Sequence, residues 1–305
     1  MKRFIISEKE EGMTLLKYSI KMLPLSGQGM IRKFLRNKNI ELNGKKSDGS
    51  DSLRTGDEVS FFLSDETFLK FHGQERTGKN ARPLEKDRII YEDDDFLIYD
   101  KEAGILSQSD ISGEISVNDM LLSYAGNTGT FTPSICNRLD RNTSGIILAG
   151  LSAKGTAALD DAIRDRRLLK YYLCICEGIF EKEGTAGLFL KKDEARNVAL
   201  ISDRRESGYD PVETHFRIIK AGEGFSLLEA ELITGKPHQI RATLSYLGHP
   251  IVGDLKYGAK KGLAKRQLLH AYKVVFPKDI LNGKEFIADC PEDMHEFSTR
   301  HNLLS

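Results

Sequence analysis

Past residue 88 the apolar residues come in short runs rich in β-branched and aromatic side chains, and this restricts the fold more than any other feature. "IIYEDDDFLIYD" (89–100) sets two such runs either side of an acidic turn and predicts a hairpin. "SGIILAG" (144–150), "KYYLCICEGIF" (170–180), "THFRIIKAG" (214–222) and "FSLLEAELIT" (225–234) follow, the last two joined through "GEG". "SAKGTAALDDAIRDRR" (152–167) reads as an interposed helix capped by Ser152. Strands that outnumber the helices between them predict an α+β fold, a mainly antiparallel mixed sheet with flanking helices. At 305 residues the chain is long enough for a second, smaller domain.

Before residue 64 the pattern differs. "TLLKYSIKML" (14–23) has helical spacing and ends at Pro24, and "GMIRKFLRNKNI" (29–40) starts a second helix with Met30, Ile31, Phe34 and Leu35 on one face. A strand, the turn "NGKK" and a strand in "GDEVSFFL" complete a small α/β domain over residues 1–63. Its 12 Lys/Arg against 8 Asp/Glu leave +4 in a chain whose 45 basic and 45 acidic residues otherwise cancel. The positive charge concentrates on Arg32, Lys33, Arg36, Lys38, Lys45 and Lys46, a patch suited to phosphates as well as to water. Residues 64–88 mix charge with Gly and Pro and read as a linker, leaving 89–305 as the larger domain.

The helix pair, "IELNGKK" and "TGDEV" resemble the alpha-L RNA-binding module of a small-subunit ribosomal protein, and the resemblance covers about the first fifth of the chain. It implies that the six basic residues contact RNA.

Four cysteines without CxxC or Cys/His spacing suggest neither a disulfide framework nor a zinc site, and a reducing cytoplasm fits them. No signal peptide or membrane span is legible, so "NTS" at Asn142 reads as chance.

The most informative stretch is "NRLDRNTSGIIL" (137–148). In extended backbone Arg138 and Asp140 point to one side, which sets a guanidinium beside the carboxylate and favours its ionised form. An ionised aspartate is a nucleophile or an anchor and a poor general acid; on residues alone, a structural Arg–Asp pair pinning a loop fits too. The stretch closely resembles the "HRLDxxTSG" signature of the RluA-type RNA pseudouridine synthases, with Asn137 in place of histidine. "KEAGILSQSD" (101–110) looks like that family's "KPAG" segment with Glu102 for proline, and "KYYLCICEG" (170–178) like its "KxYLAxVxG" strand. "TGKPHQIRATL" (234–244) is similar to "TGRxHQIRxHL", and "GHPIVGDLKYG" (248–258) and "LLHAYKVVF" (268–276) match the remaining blocks in order.

The resemblance implies catalytic roles for Asp140 as nucleophile, Tyr172 and Arg241. Arg138, Asn137, Thr143, His238 and Gln239, in the same segments, become candidates for substrate binding. Arg241 follows Pro237 closely enough to lie in the first turn of a helix, where the helix N-terminus adds positive potential, and we expect it to pair with Asp140. Tyr172 shares a strand face with Cys174 and Cys176; it is expected to stack on uracil or act as a base, and the cysteines to line the core. Arg138 is expected to fill the vacancy left by an extruded base or to hold a phosphate. The basic segment "KYGAKKGLAKRQ" (256–267) is a candidate second phosphate contact.

Isomerising uridine to its carbon-linked form moves no net electrons or groups, so no cofactor and no metal is expected, and GxGxxG, Walker and HExxH motifs are absent from the sequence. Aspartyl phosphoryl transfer wants a magnesium-binding carboxylate two residues after Asp140, where Asn142 stands, and a glycosidase wants paired carboxylates. The expected partner is RNA, ribosomal RNA of the 23S type first and transfer RNA as the alternative; a non-catalytic ribosome-assembly factor is the other competing reading. No membrane association is expected, and a monomer is the default.

Overall fold

The structure, a computed structural model, describes residues 1–72, 81–110, 112–126 and 131–303. The chain divides into two compact units, the first made of Met1–Ile98, Gln108–Asn137 and Leu148–Asp160, the second of Tyr99–Ser107, Arg138–Ile147 and Asp161–Ser305. This division differs from the expected boundary after residue 88, because stretches on either side of Asp140 fold with the N-terminal residues.

In the first unit β1 (Lys2–Ile5) precedes α1 (Leu15–Met22), whose Thr14 hydroxyl accepts from the Lys17 amide at 3.3 Å as an N-cap. α2 (Gly27–Arg36) buries Ile31 and Leu35 one turn apart; Met30, expected on the same face, is exposed. β2 (Ile40–Leu42) turns into β3 (Lys45–Lys46) through Asn43 and Gly44, both at positive φ, as a two-residue hairpin requires. With β4 (Glu58–Phe61) they form an antiparallel sheet of order β1-β4-β2-β3. β1 escaped the sequence reading, four residues beside a charged turn giving little period to detect.

The expected linker is corrected. Residues Asp65–His72 form α3, whose Phe68 is buried against Phe4 and Phe61, and whose Phe71 packs edge-on to Phe34. Two aromatics three apart in "FLKF" were enough to dock a short helix despite its charged flanks. Residues 73–80 of that expected linker lie outside the described residues. The first unit also holds β5 (Ile89–Glu92), the start of β6 (Phe96–Lys101), α4 (Val117–Ala125), β7 (Ser134–Ile135), the end of β8 (Ser144–Gly150) and most of α5 (Ala153–Arg164). β5 and β6 are neighbours, as the hairpin reading expects. Ser152 caps α5 by accepting from the Gly155 amide at 2.9 Å. α4, whose Ser116 and Asp119 form a capping box, was not anticipated.

The second unit is built on a long sheet. Its strands are β9 (Leu169–Glu177), β10 (Gly184–Asp193), β11 (Val198–Ser202), β12 (Asp210–Gly222), β13 (Phe225–Leu232), β14 (Leu269–Val275) and β15 (Glu285–Ile287), with α6 (Gln239–Tyr246) and α7 (Glu292–Arg300). The order is β11-β10-β12-β13-β9-β14-β8, antiparallel except for β14 against β8. Between β12 and β13 the turn residues Glu223 and Gly224 both have positive φ, the twist-matched hairpin geometry. Strand period two divides β9: Leu173 and Ile175 join an apolar cluster with Leu227, Val252, Leu268, Met294 and Phe297, while Tyr172, Cys174 and Cys176 take the other face. Burial pushes the Cys176 thiol up to about 12, so both cysteines serve as core, as their position suggested. No helix among the described residues is long and apolar enough to cross a membrane.

Candidate active site

Asp140 sits in a non-repetitive loop, Leu139–Thr143, whose backbone is anchored residue by residue. The Ser107 hydroxyl donates to the Leu139 carbonyl at 2.8 Å and accepts from the Leu139 amide at 3.0 Å. The Arg141 carbonyl accepts from Lys101 Nζ at 3.0 Å and from the Gly104 amide at 2.8 Å. Arg266 donates to the Asn142 carbonyl at 3.2 Å and is itself gripped by both carboxylate oxygens of Asp293 on α7. The Thr143 amide closes the turn on the Asp140 carbonyl at 3.0 Å, and its hydroxyl accepts from Gln267 at 3.3 Å. Gly145, at φ +110°, lets β8 pass so close to β14 that a Cβ there would lie 2.2 Å from the Ala271 carbonyl oxygen. A loop held this way presents one side chain in one place.

That side chain meets Arg241. The guanidinium donates to Asp140 Oδ2 at 2.7 Å, and through Nε and the second terminal nitrogen to both oxygens of Asp254 at 2.6 and 2.8 Å. Arg241 and Asp254 are buried, and Asp140 is the half-exposed end of the chain of charges. Burial works against the Arg241 charge, but the hydrogen bonds and charge of Asp254, with those of Asp140, more than offset it and raise its pKa. The guanidinium carbon also lies 5.0 Å from the centre of the Tyr257 ring.

The "TGKPHQIR" segment explains how Arg241 arrives there. The buried Gln239 amide accepts from the Thr234 hydroxyl at 2.9 Å and the Lys236 amide at 3.1 Å, and donates to the Glu213 carbonyl and the Thr214 hydroxyl, both at 3.0 Å. α6 starts at Gln239 rather than at Pro237, because His238 adopts a left-handed conformation at φ 58° and turns the chain into the helix. Gly253, at φ +80°, does the same service for Asp254: a Cβ would lie 2.0 Å from the Arg266 carbonyl.

His238 closes the arrangement. The Ala199 amide donates to the Tyr257 hydroxyl at 2.6 Å, and that hydroxyl shares a hydrogen bond with His238 Nδ1 at 2.9 Å. Nε2 of the same ring faces Asp140 Oδ1 at 3.7 Å. Burial lowers the His238 pKa and favours the neutral ring, Asp140 opposing the shift and Arg241 reinforcing it.

Tyr172 is buried and its hydroxyl has no hydrogen-bond partner among the described residues. Burial, with the charge of Asp140 added, raises its pKa and favours the phenol form in the free site. The guanidinium beside Asp140 is that of Arg241 and not of the sequence neighbour Arg138, which is exposed and unpaired among the described residues. Asn137 accepts from the Leu148 amide at 2.7 Å and fastens β8. Gln239 and Thr143 likewise make internal hydrogen bonds, to Thr234 and Glu213 and to Gln267. In the basic segment 256–267, Arg266 and Gln267 turn inward, while Lys260, Lys261 and Lys265 are exposed.

Asp254, Tyr257 and Lys101 were missed, though each lies in a matched block, Asp254 directly after the strained Gly253. Lys101 is fully buried and donates to the carbonyls of Glu102, Ile105 and Arg141 at 2.8 to 3.0 Å. Burial, and then Arg266, pull its ammonium down to about 7.

Comparison with known proteins gives this geometry its context. The model of a family described as RNA pseudouridylate synthase matches residues 95–246. An uncharacterized RNA pseudouridine synthase of Mycoplasma genitalium is 30% identical over 90% of this chain and 89% of its own. The ribosomal large subunit pseudouridine synthase C of Rickettsia bellii is 32% identical over 88% of this chain and 91% of its own. Among solved structures, human RNA pseudouridylate synthase domain containing 4 superposes with a TM-score of 0.59 at 19% identity, covering 70% of this chain and 92% of that one, a likeness of fold.

Proposed function

The chain belongs to the RNA pseudouridine synthase family and is an isomerase of that class, and from this premise we propose that it converts a specific uridine of large-subunit ribosomal RNA to pseudouridine, with Asp140 as nucleophile and no cofactor. One observation carries the residue assignment. Asp140 is the half-exposed end of an otherwise buried network, with Oδ2 fixed by Arg241 while, among the described residues, Oδ1 has only the more distant His238 before it.

In this reading the target nucleotide is turned out of its stack. The bond between sugar carbon and base nitrogen breaks with its electron pair going to the base, and Asp140 attacks the sugar or base, or stabilises the developing sugar cation. The uracil turns, its carbon bonds to the sugar as any bond made to Asp140 breaks with its electron pair returning to the carboxylate, that carbon loses a proton and the released nitrogen gains one. Electrons and atoms balance without a further reactant. Arg241 holds the carboxylate aimed, Asp254 holds Arg241, and the orphan Tyr172 phenol offers its ring for stacking and its hydroxyl to the base. Arg32, Lys33, Arg36, Lys38, Lys45 and Lys46, exposed in the first unit, take RNA phosphates.

The name of the Rickettsia relative supports the ribosomal target, and a cytoplasmic location is part of the same reading. Pseudouridine maps of ribosomal and transfer RNA from cells with and without the gene test the reading. Loss of a site in large-subunit RNA, restored by the wild type and not by Asp140→Asn, is the expected result; a lost site confined to transfer RNA overturns the ribosomal assignment, and unchanged maps overturn the activity.

A further inference from the structure

Among the described residues Lys170 enters neither the hydrogen-bond network around Asp140 nor any ion pair. It lies two residues before Tyr172 on β9 and so shares its face, about 6.6 Å back along the strand. Its side chain is half-buried, and among the described residues it has no hydrogen-bond or ion-pair partner. Its cross-strand neighbour on β14 is the buried Val274. On the open side its Nζ lies 3.7 Å from where a Cβ on Gly235 would stand, within the Thr234–His238 segment that leads to Arg241.

A like charge adds to the imbalance. Burial first, and then Arg166, lower the Lys170 pKa, and Arg166 is exposed and also without a partner among the described residues. A mostly desolvated ammonium beside a like charge, with no carboxylate paired to it, is an arrangement that an anion relieves. Lys236, on the same segment, is by contrast already neutralised by Asp210 at 2.6 Å.

We infer that Lys170, assisted by Arg166, forms a binding subsite for a backbone phosphate of the RNA next to the extruded uridine, one strand step from the ring of Tyr172. The inference rests on the RNA-modifying reading above and deepens it: the subsite fixes the sugar–phosphate of the target while Tyr172 meets its base. A phosphate contact is made equally in the bound and reacting states, so it acts on affinity and not on the chemical step.

The test uses the full chain with wild type, Lys170→Gln, Lys170→Met, Lys170→Arg and, as a surface control, Lys278→Gln. RNA binding to a large-subunit ribosomal RNA transcript is measured from low to moderate salt, with steady-state pseudouridine formation on the same transcript and thermal melting for each variant. The expected result for both neutral variants is a roughly tenfold weaker affinity and raised KM, a salt slope flatter by about one ion, kcat within about twofold of wild type, and recovery in Lys170→Arg. An unchanged slope and KM in a folded neutral variant overturns the inference. So does a fall in kcat at constant KM, which makes Lys170 a positioning group for Tyr172, or a loss of folding in both neutral variants, which makes it structural. Absence of pseudouridine with wild-type protein defeats the functional reading alone, since the salt slope is read from binding.

Discussion

The two basic constellations of this molecule treat charge in opposite ways. Arg241 in the second unit spends three donors on two carboxylates and is buried to 7% of its side-chain surface. Arg32, Lys33, Arg36, Lys38, Lys45 and Lys46 in the first unit are all exposed, and none has an ion-pair partner among the described residues. A guanidinium that must hold one carboxylate at one angle needs a second carboxylate to hold it in turn, and burial makes those bonds strong and directional. Cations that serve only to attract a polyanion work best unpaired in water, where each released counterion adds to affinity. In the proposed reading, paired and buried marks the place of chemistry, unpaired and exposed the place of attraction.

The contrast breaks most severely at Asp140. Asp140→Asn keeps an oxygen for Arg241 and the shape of the loop but removes the proposed nucleophile, and pseudouridine formation should fall by ~10⁴-fold or more with RNA affinity nearly unchanged. Single-turnover assays beside filter binding decide it, and substantial residual turnover counts against the assignment. Arg241→Lys comes next. A point charge cannot reach Asp140 and both oxygens of Asp254 together, so kcat should drop by ~10²- to 10³-fold, and the underserved buried Asp254 should lower the melting temperature. If kcat and melting temperature both survive, the buried network is not what aims the carboxylate.

Much of this centre was legible from sequence and some was not, for reasons that differ by residue. Asp140, Arg241 and the strand of Tyr172 stood in stretches whose pattern is local, and the Asp140–Arg241 pair follows once those stretches are set side by side. Arg138 misled because adjacency along an extended chain is a weaker constraint than a folded contact, and a side chain separated by 101 positions took the place beside Asp140. Gln239, Thr143 and Asn137 were read as offering groups to a ligand, but whether an amide or hydroxyl faces outward depends on tertiary partners such as Glu213, Gln267 and Leu148. Asp254 and Lys101 gave no signal of their own, since their roles rest on a guanidinium and three carbonyls brought from elsewhere. The strands with strong alternation were found, while β1 and α3, short and flanked by charge, depend on the aromatic contacts among Phe4, Phe61 and Phe68.

A third test asks whether the interior of the second unit penalises charge wherever no partner is supplied. His270 is 1% exposed, with Nδ1 against the Ser144 hydroxyl at 2.9 Å, and burial lowers it from 6.5 to about 4. The folded protein thus holds the ring neutral where the unfolded chain protonates it. The unfolded state binds the extra proton between pH 6.5 and 4, so the stability linked to His270 is present above 6.5 and is lost as pH falls through that window. Urea melts should show about 2 kcal/mol less stability at pH 5 than at pH 7 from this group, and His270→Gln should remove that share of the slope. An unaltered pH dependence in the variant would locate the acid sensitivity elsewhere.

The smallest effect on turnover, and the sharpest on the comparison, belongs to the exposed patch. Replacing Arg32, Lys33, Arg36 and Lys38 together by Gln removes four exposed cations that make no ion pair among the described residues, so the melting temperature should hold. The same change in the Arg241 network would unfold or silence the protein. At saturating RNA kcat should stay within about twofold of wild type, while the slope of log affinity against log salt should flatten by about 0.7 to 0.9 for each phosphate that is no longer neutralised. Restoring the four charges as lysines should return the slope, because attraction in water depends on the number of charges and not on the geometry of their forks. If the slope is unmoved, these residues are a solvated helix face and RNA is gathered by other cations. If kcat falls with the slope, the patch takes part in presenting the uridine, and the division between attraction and chemistry fails at its weaker end.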